Sequence, residues 1–168
     1  QHLANARAIM AAVAPDVEWD LVYQSRSGAP HIPWLEPDIN DHLEVLAEQG
    51  LKGAVIVPLG FVSDHMEVAW DLDAEALETC RNLGISATRV PTPGTQATFV
   101  SGLVDLICER TVEQHIADRP HATELGPWYD VLPAGCSENF RGAKPVIAEN
   151  GSTIGTGHAA YPVAEDAK

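Results

Sequence analysis

The chain has 168 residues, 45% of them hydrophobic, which is enough for one globular domain with a core, or one domain and a tail. Ten Lys and Arg against 24 Asp and Glu leave a formal charge of -14. So few cations exclude a nucleic-acid partner, whose phosphates must be neutralised. No apolar run reaches the ~18–20 residues of a membrane span, and residues 1–13 lack the charged start and apolar stretch of a signal peptide. Three scattered cysteines do not form a disulfide framework, so the composition points to the cytoplasm. The sequence opens on Gln1 and not Met, as expected of a piece of something longer or of a processed product.

In chain order, Leu3 to Ala14 is an Ala-rich helix stopping before Pro15. Glu18 to Ser25 has strand character through Trp19, Leu21, Val22 and Tyr23, and residues 25–38, with three prolines and a glycine, form an ordered loop. Asp38 or Asn40 caps a helix over 41–49 that Gly50 closes. Residues 54–59 begin as a continuous β-branched run bounded by Gly53 and Pro58, the pattern of a strand buried on both faces. A helix over 64–82 follows, with Ser63 or Asp64 as its cap and Gly84 as its stop. Residues 85–90 form a third strand, 91–94 a turn, and 96 to about 113 a helix amphipathic on Phe99, Val100, Leu103, Leu106 and Ile107. Alternating strands and helices imply an α/β fold, a parallel sheet in three layers with flanking helices. Residues 1–118 are read as that domain. Residues 119–168, rich in Gly, Pro and Ala without periodicity, are read as an extended, partly disordered tail.

Asp64, Glu67, Asp71 and Glu75 lie at offsets of 0, 3, 7 and 11, along one face of the predicted helix. Such a face is either a solvated surface or a track for cations. Two details favour the track: His65 stands in the first turn, and no Lys or Arg follows at the four-residue spacing that supports a surface helix. Unpaired carboxylates repel one another unless a metal ion or protons visit. The helix also starts at the carboxyl edge of a strand, where ligands bind in open parallel sheets. In α geometry each four-residue step overshoots by about 40°. A single π-bulge would bring 67, 71 and 75 towards one line.

The segment GFVSDHMEVAWDLDAEA resembles the signature that opens the catalytic helix of ferrochelatases. SRSGAPHIPWLEPDI (25–39) and RVPTPGTQATFVSGLVDLI (89–107) resemble two further family segments in the same order. The likeness runs from about residue 1 to 111, the C-terminal one of two similar α/β halves (Rossmann-like) that face a cleft, and is nearest in style to the actinobacterial branch. It implies a lyase that inserts Fe2+, as substrate, into coproporphyrin III, or into protoporphyrin IX, in haem biosynthesis. It implies Glu67 as metal ligand or proton acceptor, His65 as its orienting or proton-transfer partner, and Asp71 and Glu75 as further metal ligands along a path. Trp34, Ser25 and Arg26 become candidate porphyrin contacts, with Arg suited to a propionate. The partner is the missing N-terminal half, whose essential histidine no residue here replaces; His2 is nearest, in the wrong context. Actinobacterial relatives often carry a [2Fe–2S] cluster, which needs four ligands. Cys136 keeps one such position, Val131 and Ser137 stand where partners are expected, and Cys80 and Cys108 read as core residues, so no cluster is expected. A truncated, non-catalytic module that holds a metal, a tetrapyrrole or a partner chain is the alternative.

Overall fold

The computed structural model describes residues 1–127, apart from 27, 30 and 113. Helix α1, His2–Val13, buries only Ala6 and ends two residues before Pro15. Helix α2, Ile39–Glu48, starts where the Asp38 carboxylate accepts the Asn40 N–H at 2.8 Å, satisfying an orphan donor of the first turn. It closes at Gly50, whose φ of 94° suits a residue without Cβ. Strand β1, Gly53–Ile56, and strand β2, Ser86–Arg89, pair in parallel with Gly53 opposite Ser86 and Ile56 opposite Arg89. The crossover between them is helix α3, residues 66–83. It consists of an α turn, Met66–Val68, a π segment, Ala69–Ala76, and an α segment, Leu77–Leu83. Left-handed Gly84 (φ 71°) ends it, and the Ile85 N–H bonds the Cys80 carbonyl at 2.9 Å. Helix α4, Ala97–Thr111, follows, and a 3-10 turn, Ile116–Asp118, comes last.

The core lies on one face of this small sheet. Ile39 and Leu43 of α2, Ile56 of β1, Val68, Leu72, Ala76 and Cys80 of α3, and Ile85 form one cluster. Val68, Leu72, Ala76 and Cys80 are at most 1% exposed, and burying each large apolar side chain contributes about 1.5–3 kcal/mol. No residue of α1 or α4 belongs to the cluster.

Three expectations are corrected. Among the described residues the sheet has two strands, and helices back it in a single layer. The strand expected over 18–25 fails at Tyr23, whose N–H and carbonyl bond Pro37 and Ile39, so those residues make only an isolated parallel bridge, Tyr23 to Asp38. Among the described residues strand β1 is not buried on both faces, because none of them covers the face that carries Val55, which is 66% exposed. It also ends at Ile56, since Val57 turns and its carbonyl accepts the Leu59 N–H. Residues 119–127 carry no helix or strand. The rest of the proposed tail, 128–168, lies outside the described residues.

Candidate functional site

Both strands end on the same side and release loops 57–65 and 90–96 there. Backbone bonds stitch the two loops together: Val90 N–H to the Ile56 carbonyl at 2.8 Å, and Gly94 N–H to the Val62 carbonyl at 2.9 Å. The carboxylate of Asp64 completes the seam. Its Oδ1 accepts the N–H of buried Thr92 at 3.2 Å and an Arg89 Nη1 hydrogen at 2.8 Å. Asp64 therefore does not cap α3. The cap position is His65, which makes no side-chain capping bond, while Arg89 and Thr92 hold the Asp64 oxygen.

Arg89 is the structural centre of this edge. Its Nε and Nη2 grip both oxygens of Asp73 at 2.6 and 2.7 Å, a bidentate pair on the π segment, while Nη1 reaches Asp64. Hydrogen bonding to Arg89, aided by its charge, holds the Asp73 carboxyl below the usual carboxylate range, and the same pair raises the guanidinium pKa. One side chain thus fixes the π segment against the loop that carries His65. Sequence reasoning missed it, since its partners lie 16 and 25 positions away.

The π segment changes which side chains line up. A bond to the fifth residue widens the turn, so positions four apart stop overshooting one another. Two rows at steps of four result. Val68, Leu72, Ala76 and Cys80 face the core. Glu67, Asp71 and Glu75 form the neighbouring row, and Thr79 extends it to α2 by donating to Asn40 Oδ1 at 2.8 Å. Where a single π-bulge would bring the acidic row towards one line, the helix has a π segment of eight residues.

Asp71 and Glu75 line an open depression of about 310 Å³ with Gln24, Ser25, Arg26, Asp38, Ile39, Asn40 and Trp70. The Ser25 hydroxyl donates to Asp71 Oδ2, and the Trp70 indole N–H donates to Glu75 Oε1 at 3.1 Å. Ser25 has a φ of 60°, a left-handed conformation that costs a non-glycine residue on the order of 1 kcal/mol and is often kept at functional sites. Arg26 donates to the Ile32 carbonyl at 3.1 Å. Of the candidates, then, the fold gathers Ser25, Arg26, Asp71 and Glu75. Glu67 and His65 stand exposed in and before the first turn of α3, with the His65 ring edge-on to Phe61 at 4.8 Å. Trp34, 38% exposed, does not line the depression. Among the described residues no three His, Cys, Asp or Glu groups converge on a point, so the carboxylates form a row and not one coordination shell.

Cys80 is buried as expected, and burial raises its thiol pKa. Cys108 is exposed on α4, a correction to its reading as a core residue. It stands on a helix that no described layer covers. Cys136 lies outside the described residues. No helix among those described is long and apolar enough to cross a membrane.

The ferrochelatase family model matches residues 1–111, which hold every element from α1 to α4 and the whole edge described above. The chain belongs to the ferrochelatase family. Among its relatives are three named coproporphyrin III ferrochelatase. That of Leifsonia xyli subsp. xyli is 59% identical over 150 residues, covering 88% of this chain and 39% of the relative. That of Tropheryma whipplei strain Twist is 53% identical over 150 residues, covering 86% and 38%. That of Streptomyces griseus subsp. griseus is 46% identical over 154 residues, covering 88% and 41%. The chain thus spans about two-fifths of the length of these ferrochelatases. Matches of this length also run beyond residue 118, so part of the segment read as a tail is shared with them.

Proposed function

We propose that this chain is the C-terminal part of a ferrochelatase and supplies the acidic-helix side of a site that inserts Fe2+ into a porphyrin, coproporphyrin III in preference to protoporphyrin IX. The preference for coproporphyrin III rests on the names of its relatives. The observation that supports the rest is the π segment Ala69–Ala76, which follows Glu67 and carries Asp71 and Glu75 in a helix that starts beyond the carboxyl end of β1.

The reaction needs two pyrrole protons removed, water stripped from the ion, and the ring bent so that its nitrogens meet the metal. Carboxylates serve as bases and as fast-exchanging oxygen ligands. In this reading Glu67, at the start of the helix, takes a pyrrole proton or ligates the metal, and His65 orients it or passes the proton on. Asp71 and Glu75 conduct the ion in, or protons out, along the depression beside Ser25. Trp34 presses on the macrocycle, and Ser25 and Arg26 meet its polar edge. A [2Fe–2S] cluster is not expected on this chain alone, whose three cysteines fall short of four thiolates. The remaining half of the site comes from the N-terminal part of the protein, in the cytoplasm.

A metalation assay tests the reading. The complete protein is expected to insert Fe2+ into coproporphyrin III under anaerobic conditions. The 168-residue chain alone is expected to turn over at background rate. The second reading, a non-catalytic module, draws on the shortness of the chain relative to its relatives. A complete protein that binds porphyrin but never metalates it would establish that reading and refute the first.

A further inference from the structure

The Trp70 indole N–H bonds Glu75 Oε1 at 3.1 Å, across five positions of the chain. On an α-helix residues five apart point well away from each other, because only those three and four apart share a face. The contact therefore exists because of the π turn in which both residues sit. Trp70 contributes nothing to the core. It is 59% exposed and lines the depression beside Asp71 and Glu75. A large aromatic ring left in solvent, with its single polar atom on a carboxylate, calls for an explanation other than packing.

We infer that Trp70 is a positioning residue for Glu75. The indole occupies one carboxylate oxygen, so an arriving divalent cation meets the other as a single oxygen ligand. Asp71 is treated alike, since Ser25 holds its Oδ2. Each carboxylate of the depression thus has one oxygen engaged by a neutral donor. Such half-engaged carboxylates bind a cation weakly and release it readily. This inference rests on the proposed cation path, which it refines by naming what keeps that path from becoming a trap.

The test uses the 168-residue chain and two readouts. The first needs no metal. In Glu75→Ala the Trp70 indole N–H resonance, assigned through Trp70→Phe among the four tryptophans, is expected to move further than the other three. An unmoved Trp70 resonance overturns the inference. The second readout is Mn2+ affinity from water relaxation. Trp70→Phe keeps an aromatic ring but loses the donor, and is expected to tighten Mn2+ binding three- to ten-fold in the otherwise native chain. The same substitution in a Glu75→Ala background is expected to change nothing. Additive effects would show that Trp70 does not act through Glu75, and would equally overturn the inference. If Mn2+ fails to broaden the Trp70 resonance in the native chain, the cation path fails as a function, while the first readout still decides the role of Trp70. Circular dichroism of the two single variants and the double variant checks that the helix survives.

Discussion

Arg89 shows how a residue with no local signal organises the site. Its bonds reach Asp73 on the π segment and Asp64 in the loop before it, and its own side chain is only 13% exposed. Arg89→Ala strands two carboxylates that the fold holds close together. It is expected to lower stability by about 1–3 kcal/mol, read from the urea midpoint. The acid limb of the stability profile carries a second signature. The folded pKa of Asp73 is depressed. Its contribution is therefore complete above about pH 3.9, the ordinary Asp value, and is lost as pH falls through the lower folded value. Asp73→Asn is expected to flatten the acid limb in that window. An unchanged limb would show that the pair contributes nothing at equilibrium. The two described cysteines divide just as clearly. Exposed Cys108 should be alkylated in the folded chain, whereas buried Cys80 should react only on unfolding, as mapped by peptide mass spectrometry.

At the scale of elements, much was legible because the deciding chemistry is local. Asp38 before α2, Gly50 after it, and Gly84 after α3 mark the ends of those helices in the sequence and mark them in the structure. The π segment was half legible. Spacing of the acidic residues raised it, and the fully buried row 68, 72, 76, 80, which advances by fours, was a further sign. The strand at 18–25 was misread because pairing is not local. Tyr23 has strand chemistry, yet its backbone bonds go to Pro37 and Ile39. Two substitutions grade the elements. Leu72→Ala, at 1% exposure in the centre of the apolar row, is expected to cost about 2–5 kcal/mol. Asp38→Ala, which removes one cap, is expected to cost about 1 kcal/mol. A smaller loss at Leu72 than at Asp38 would mean that the core row is not what holds α3.

At the largest scale, the described residues form one layer of helices on a two-stranded sheet, and none of them covers its second face. Val55 on β1 and Val100, Leu103, Val104, Leu106 and Ile107 on α4 are 44–66% exposed. The α4 face read as inward-facing in the sequence thus has no core to meet among the described residues. Parallel strands are normally covered on both faces. The 168-residue chain alone is accordingly expected to bind a hydrophobic dye such as ANS, and the complete protein to bind much less per molecule. Charge acts at the same scale. A net -14 raises the local concentration of divalent cations around the acidic row, so cation uptake should weaken as salt is added.

The central claim is that the row begun by Glu67 works on the metal and the macrocycle. Its most direct test is the rate of Fe2+ insertion into coproporphyrin III by the complete protein carrying Glu67→Gln, with thermal unfolding measured alongside. Glu67 is exposed, so the melting temperature is expected to stay within a few degrees of the parent. Insertion is expected to fall by about 10²–10⁴-fold, the usual contribution of a positioned acid or base. A variant that folds and still inserts iron at the parent rate would contradict the claim.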